Sequence, residues 1–380
     1  MTYIETIKTG LMVFPFLAAA FTVPYTVSQY HKYGSVNRYR TLIVYSFMLY
    51  MLISYFMVIL PLPDRESVAG NVWRDHLNLI PFRQIWLYWK DKPFTLQNIL
   101  AYLTSFNLWQ LLFNILLTVP FGVYLRYYFR QDLKHTALYS FLLSLFFELT
   151  QISALYGIYP GPYRLADVED LICNTMGGVL GYQIAYVFTL MLPARDKIDA
   201  DSVSASQTVT GRRRLVASFV DFFLGMMLYT FMQGAQSILD PDSAALTDTA
   251  MSRTWSFFVV FCLLQVLLTK GYTVGHAVCR MRLSAADGKS ATVWQMVKRY
   301  FILWCFIDLS SLLGTLLRNS SWQEVNDSWL PLILITVSDM YLIVYFLRGM
   351  FGKQQKPMPH DRWSGTAYVS SIGKQNSEEA

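Results

Sequence analysis

The sequence has 380 residues, of which 54% are hydrophobic and only 15% are charged. A soluble domain carries roughly 25% charged residues, so this composition excludes an ordinary soluble globular protein and indicates a membrane protein. The formal net charge is +6. Its Lys and Arg residues lie in loops between apolar stretches, where they meet anionic lipid headgroups, so we expect membrane lipids as partners and no nucleic acid.

Nine apolar stretches have lengths near the roughly 20 helical residues that cross a bilayer. They are 11–30, 41–62, 105–125, 136–158, 171–192, 215–235, 255–269, 300–317 and 328–347. The sequence therefore predicts an all-α integral membrane protein with about nine transmembrane helices. Alternate loops carry 22 of the 31 Lys and Arg residues. Because positive residues stay in the cytoplasm, we predict an outside N-terminus and a cytoplasmic C-terminus.

One change in composition divides the chain. The stretch 193–212 is polar, rich in Ser and free of aromatic residues, which is typical of a linker. We interpret it as a cytoplasmic connection between two helical modules, 1–192 and 213–369, followed by a polar tail at 370–380. The four Cys residues form no CxxC pair, so we predict neither a disulfide framework nor a metal site, and no cofactor.

Polar residues gather at the outer ends of the fourth and fifth predicted spans. Glu148 has apolar neighbours inside a span, where a carboxylate is costly and usually faces a partner or a cavity. Gln151 shares its helical face by i, i+3 spacing. We expect Glu148 to pair either with Arg164 or with the amides of Gln151 and Asn174.

The start of the fifth span carries the other half of this polar set. Continuing its helix upstream would align Arg164, Asp167, Asp170 and Asn174 along one stripe, with Glu169 pointing away from it. Two interpretations stay open: the acids cap a helix and act as structural glue, or they line an outward-facing ligand pocket.

Four ordered motifs in the first module resemble a known family. They are NLIPF (78–82), NILLTVPFG (114–122), SLFFELTQ (144–151) and RLADVEDLICNTMGGVLGY (164–182). Together they are similar to the VanZ family over residues 41–192. The resemblance implies a multi-pass protein of the bacterial plasma membrane associated with lowered susceptibility to teicoplanin-type glycopeptides. Our own expectation is that an outward-facing polar site engages the drug or lipid-linked cell-wall material. The family pattern singles out Asn78, Pro81, Asn114, Glu148, Gln151, Arg164, Asp167, Asp170 and Asn174.

Three stretches in the second module carry another resemblance. They are RRRLVASFVD (212–221), GYTVGHAVCRMRLSAADGKSATVWQMVKRY (271–300) and KPMPHDRWSGTAYV (356–369). These are similar to the RDD family, named for one Arg and two Asp, here Arg214, Asp221 and Asp361. His276 stands where the family commonly has Lys, so a titratable imidazole replaces a fixed positive charge.

Two further acids, Asp308 and Asp339, lie inside predicted spans of the second module. With Asp221 they are either hydrogen-bonding partners between helices or a path for cations, protons or lipid, since intramembrane acids mark ion pathways. An enzyme acting on a lipid headgroup is a third possibility, using Glu148 with Asp167 or Asp170 as acid and base. No GxSxG, HExxH or Walker motif is found, so we predict no catalytic residue.

Overall fold

The protein is helical throughout most of the computed structural model, which describes residues 3–239, 250–318, 329–351 and 357–372. The helices are α1 (Tyr3–Tyr33), α2 (Arg38–Ile59), α3 (Arg83–Trp89), α4 (Leu96–Leu103), α5 (Phe106–Tyr127), α6 (Leu133–Ile152), α7 (Ala154–Gly157), α8 (Val168–Met191), α9 (Arg195–Ser206), α10 (Gly211–Leu239), α11 (Ala250–Thr269), α12 (Val274–Val278), α13 (Val293–Arg318), α14 (Leu330–Phe351) and α15 (Pro359–Ser364). The prediction of a helical protein is confirmed, and each predicted apolar stretch overlaps one of the long helices.

Within the described ranges, four helices are long and apolar enough to cross a membrane. They cover Ile4–Tyr33, Arg38–Ile59, Phe106–Tyr127 and Gly211–Ala235, and a shorter apolar helix covers Phe257–Thr269. These lengths agree with the thickness of a bilayer core. The total of nine spans and the orientation of the termini stay predictions.

In the described part of the chain, four short strands interrupt the helical architecture, and the sequence did not predict them. They are β1 (Leu77–Asn78), β2 (Ala166–Asp167), β3 (Met281–Ala285) and β4 (Thr366–Ser370). β1 pairs with β2 in parallel, and β3 pairs with β4 in antiparallel register. Each pairing joins segments far apart in the chain, and each positions polar side chains considered below.

The chain divides into two compact units. Unit 1 comprises Met1–Phe21 and Arg38–Ile198, and unit 2 comprises Thr22–Asn37 and Asp199–Ala380. This division differs from the predicted modules at the N-terminus, because the second half of α1 belongs to unit 2. There Tyr30 is 4% exposed and packs in one apolar cluster with Cys279 and Met281.

The predicted linker also differs in structure from the expected polar loop. Residues Arg195–Ser206 of it form α9. Ile198 on this helix is 2% exposed and packs against Ile43 and Tyr127 in unit 1. A single buried apolar side chain thus anchors the first turn of an otherwise polar helix.

Small residues let α8 approach its neighbours in unit 1. A Cβ added at Gly181 would overlap the carbonyl oxygen of Val119 on α5, and one at Gly178 would overlap the side chain of Ser140 on α6. Glycine at these two positions therefore permits close contact between helices. The polar residues one and two turns earlier on α8 are held against α5 and α6 by this packing.

Candidate functional site

The pairing of β1 with β2 begins the polar site of unit 1. It sets Asn78 beside Asp167, and the Asn78 side-chain amide donates a hydrogen bond to Asp167 Oδ2 at 2.9 Å. Asp167 Oδ1 accepts the backbone N–H of Glu169 at 2.9 Å. Asp167 is thus the N-cap of α8, in a half-buried position rather than a solvated one.

Two more carboxylates lie next to this cap. Glu148 on α6 is 6% exposed, and its Oε2 accepts the backbone N–H of Asp167 at 2.8 Å. The side chain of Asn114 on α5 donates to Asp170 Oδ1. We call Glu148, Asp167 and Asp170 the acidic cluster. Among the described residues, none of the three forms an ion pair with a Lys or Arg.

The expected pairing of Glu148 with Arg164 is not formed. Arg164 lies before α8, outside the helix, so the upstream part of the predicted stripe is wrong. Its guanidinium donates to the carbonyl oxygens of Leu60 and, at 3.5 Å, Met57. The last carbonyls of a helix have no partner within that helix, and a planar guanidinium with several donors can satisfy two of them. Arg164 therefore closes the C-terminal end of α2.

Gln151 takes part in the same closure of α2. Its side-chain nitrogen donates to the carbonyl oxygen of Val58 at 3.2 Å, and the Tyr163 hydroxyl donates to that of Ile59 at 2.8 Å. The Gln151 side-chain oxygen is buried without a hydrogen-bond partner among the described residues. Since buried polar atoms normally have partners, this oxygen marks a position that a ligand or water would complete.

Asn174 is a buried part of the same site. Its nitrogen donates to Ser144 Oγ at 2.9 Å, and Ser144 Oγ donates to the carbonyl oxygen of Asp170 at 3.1 Å. Asn174 is 3% exposed, and its side-chain oxygen also has no hydrogen-bond partner within the described part of the chain. Pro81 is exposed in the turn before α3, outside both the acidic cluster and the contacts at the end of α2.

Glu169 differs from its expected position. The sequence predicts that it points away from the polar stripe, yet the side chain is only 8% exposed. It lies in electrostatic range of Asp170. The sequence placed it off the stripe by helical geometry alone, which does not indicate whether the side chain is buried.

A second polar cluster lies in unit 2 and is built around Asp361 on α15. Arg214 Nη2 donates to both carboxylate oxygens, at 2.9 and 2.8 Å. Arg299 Nη1 donates to Oδ1, and the backbone N–H of Met358 donates to Oδ2 at 3.0 Å. We call Arg214, Arg299 and Asp361 the Arg–Asp cluster. Burial opposes ionisation, but the Arg299 and Arg214 guanidiniums hold the pKa of the Asp361 carboxyl well below its usual range.

Tyr368 on β4 completes this cluster. Its ring centroid lies 4.5 Å from the Arg214 guanidinium and 4.8 Å from that of Arg299. Its hydroxyl accepts a hydrogen bond from Arg299 Nη2 at 3.0 Å. The sequence indicated Arg214 and Asp361 through the family pattern, but it did not single out Arg299, which lies within the second matching stretch (271–300). Only the antiparallel strands bring Tyr368 to it.

Asp221, the remaining residue of the family trio, lies apart from the ion pair. Its Oδ2 accepts the Thr273 hydroxyl at 2.5 Å, and its Oδ1 accepts the backbone N–H of Gly275 at 2.7 Å. A Cβ at Gly275 would overlap the carbonyl oxygen of Ala217. The family trio thus divides into a salt bridge and a separate carboxylate held at the start of α12.

His276 is neutral in this setting. Burial, reinforced by the positive charges of Arg299 and Arg214, lowers the pKa of His276 to about 3. Its Nδ1 accepts the backbone N–H of Thr273 at 3.1 Å, which leaves the proton on Nε2. The imidazole therefore supplies a neutral hydrogen-bond donor where a Lys would supply a positive charge.

Arg213 is a structural residue that the sequence did not single out. It is fully buried, and its guanidinium donates to the carbonyl oxygens of Cys279 and Ser206, both at 2.7 Å, and of Arg280. In the sequence Arg213 is one of three consecutive arginines (212–214), and no pattern there indicates that it is buried. Three adjacent arginines have different environments because successive helical residues face different directions.

The two remaining predicted acids do not join this cluster. Asp339 lies on α14 with an exposed side chain, so it differs from the buried carboxylate that its position in a span predicted. Asp308 lies on α13, but its side chain is outside the described residues. Among the described residues, no group of three or more His, Cys, Asp or Glu side chains could hold a metal ion.

These features define a helical membrane protein with two polar sites, one in each unit. Comparison with protein-family models matches residues 47–189 to the VanZ/LLP1 family and residues 209–365 to the RDD family. The chain thus joins a VanZ/LLP1 domain to an RDD domain, and both are membrane domains of the cell envelope. No curated protein and no solved structure matches the chain.

Proposed function

We propose that the protein lowers susceptibility to teicoplanin-type glycopeptides by engaging the drug, or lipid-linked cell-wall material, at the acidic cluster of unit 1. The proposal takes the chain as a multi-pass protein of the bacterial plasma membrane, with this site facing outward. One observation carries it: three carboxylates meet with no ion pair to Lys or Arg among the described residues. Unpaired acids in a membrane protein usually mark a functional site.

The chemistry of the site favours a ligand rich in hydrogen-bond donors. Glu148 and Asp170 each keep free lone pairs, and the side-chain oxygens of Gln151 and Asn174 are acceptors without partners in the described structure. Ionised carboxylates and amide oxygens accept hydrogen bonds from amines, amides and hydroxyls. Glycopeptides and lipid-linked sugars present such groups, which supports both as ligands.

The experiment is a susceptibility assay on a strain that lacks the protein, complemented with wild type or variants and compared for teicoplanin and vancomycin. Glu148→Gln and Asp170→Asn keep the size and part of the hydrogen bonding but replace the carboxyl groups by amides. We expect both to lose protection against teicoplanin at normal membrane abundance. Protection equal to wild type in both variants contradicts the proposal, and Asp75→Asn, at an exposed position, is the matched control.

Transport of cations, protons or lipid through unit 2 has less support. It requires Asp221 and Asp339 to act on one path, yet Asp339 is exposed on α14, whereas Asp221 is 3% exposed. An enzyme acting on a lipid headgroup has less support again, since no group of three or more His, Cys, Asp or Glu side chains in the described residues could hold a metal ion beside the acids.

A further inference from the structure

Unit 2 contains a cavity of about 470 Å³ that neither family resemblance assigns. This volume lies within the roughly 300–1,000 Å³ of small-molecule sites. Apolar side chains of α10, α11, α13 and α14 form most of its wall, including Phe219, Phe258, Leu303 and Phe346. The second half of α1 supplies another part of the wall, through Val23 and Val27. An elongated apolar chain fits such a lining.

One part of the lining is polar, and two of its donors have no partner. His276 and Tyr300 both line the cavity, and each is only 4% exposed. His276 uses Nδ1 as an acceptor, so its Nε2–H is left to donate. Neither this N–H nor the Tyr300 hydroxyl has a hydrogen-bond partner among the described residues. A buried donor without a partner is costly, and a ligand acceptor would remove that cost.

Asp221 also lines the cavity and supplies an acceptor. Each of its carboxylate oxygens accepts one hydrogen bond from the protein, whereas an ionised carboxylate offers about four acceptor positions. His276, Tyr300 and Asp221 therefore present two donors and one acceptor. A ligand hydroxyl matches this arrangement because it both donates and accepts hydrogen bonds. A headgroup that can only donate, or only accept, would leave at least one of these protein groups without a hydrogen bond.

The charges nearby indicate that the ligand is neutral. Arg214 and Arg299 are balanced in number by Asp361 and Asp221. Burial, with the nearby guanidiniums, holds the pKa values of His276 and His360 below their usual range, so both imidazoles are neutral. A net charge on the ligand would lack a counter-charge in a low-dielectric site.

We propose that this cavity binds a neutral amphiphile with a single apolar chain and a hydroxyl-bearing head, the chain lying among the apolar walls and the head between Tyr300, His276 and Asp221. Two natural sources share this chemistry, a monoacylglycerol and a long-chain prenol. The proposal concerns unit 2 alone and does not depend on the function proposed for the acidic cluster.

The test uses the full-length protein in bilayer nanodiscs and photoactivatable probes with a diazirine in the chain. The neutral probes are a C16 monoacylglycerol and a C15 prenol, and the charged controls are a C16 lysophosphatidic acid and a C16 alkylamine. We expect saturable crosslinking by at least one neutral probe, mapped to cavity-lining peptides, and the tighter of the two identifies the source. Tighter binding of either charged probe, or labelling that does not saturate, overturns the proposal.

Two matched variants test the position of the head. Tyr300→Phe removes only the unpartnered hydroxyl, and we expect it to weaken the apparent affinity about five- to tenfold. Tyr345→Phe is the control, because that hydroxyl also lines the cavity but is already hydrogen-bonded to Ser218 at 3.0 Å. Leu303→Trp should block crosslinking by filling the chain region. Equal affinities for Tyr300→Phe and Tyr345→Phe contradict the proposed position of the head, whatever the effect of Leu303→Trp.

Discussion

In unit 2 the carboxylate of Asp361 lies between two guanidiniums, whereas in unit 1 the acidic cluster contacts only amides and backbone N–H groups. Both arrangements remove carboxylates from water, but only the first supplies a counter-charge in direct contact. In unit 1 the Arg164 guanidinium is in electrostatic range of Asp170, but it donates its hydrogen bonds to carbonyl oxygens at the C-terminal end of α2. The ion-paired carboxylate of the Arg–Asp cluster is suited to stabilising the fold. The acidic cluster, whose carboxylates have no ion pair among the described residues, is suited to binding a ligand.

Asp361→Asn should have the largest effect of the changes that test this comparison. It would leave the buried guanidiniums of Arg214 and Arg299 without a counter-charge, which costs about 3–5 kcal/mol of folding free energy. We expect little folded protein in the membrane, measured as the monodisperse fraction after detergent extraction. Asp287→Asn is the control, since that carboxylate is 57% exposed and meets Lys289 only at 3.9 Å. Normal yield of Asp361→Asn would mean that the Arg–Asp cluster is dispensable for folding.

Acid should destabilise unit 2 through its neutral imidazoles. The unfolded chain binds a proton on His276 near pH 6.5, whereas the folded protein binds it only near pH 3, because burial, Arg299 and Arg214 oppose the charge. The unfolded state therefore holds more protons in this window, and stability falls with decreasing pH by about 1.4 kcal/mol per pH unit. The melting temperature between pH 6.5 and 5 measures this slope.

His276→Gln removes this contribution and should make the melting temperature less dependent on pH, even though it lowers the absolute value. His31→Gln, at an exposed position on α1 in the same unit, should keep the wild-type slope. The same slope in both variants would show that His276 takes up its proton in the folded state as readily as in the unfolded chain.

Arg164→Lys should have a smaller effect. A Lys ammonium keeps the charge but loses the planar fork that contacts two carbonyl oxygens of α2 at once. We expect a loss of about 1 kcal/mol, seen as a lower melting temperature, while Arg74→Lys at an exposed position should be neutral. Equal melting temperatures of Arg164→Lys and Arg74→Lys would show that the contacts of Arg164 with the end of α2 do not stabilise the fold.

Sequence patterns predicted the helices and part of each site, but not the contacts that organise them. The sequence indicated Glu148 because a carboxylate inside an apolar stretch is costly and usually faces a partner or a cavity. The sequence did not indicate the hydrogen-bond partners of Arg164, because they are backbone carbonyls at a helix end, which residues of every type supply. Strands of two residues, such as β1 and β2, show no alternation of apolar and polar residues. Arg299 resembled any other cytoplasmic base until β4 brought Tyr368 beside it.

Glu148→Gln should change folding least, and it is the direct counterpart of Asp361→Asn, since both replace a buried carboxylate by its amide. Glu148 accepts one hydrogen bond, from the backbone N–H of Asp167, and the Gln side-chain oxygen can accept the same bond. No buried cation loses its partner, so we expect the free energy of unfolding to change by less than about 1 kcal/mol. Thermal unfolding measures this, with Glu66→Gln, at an exposed position outside the predicted spans, as the control for the same replacement. A loss as large as that of Asp361→Asn would mean that a counter-charge for Glu148 exists, and the contrast between the two units would then be wrong.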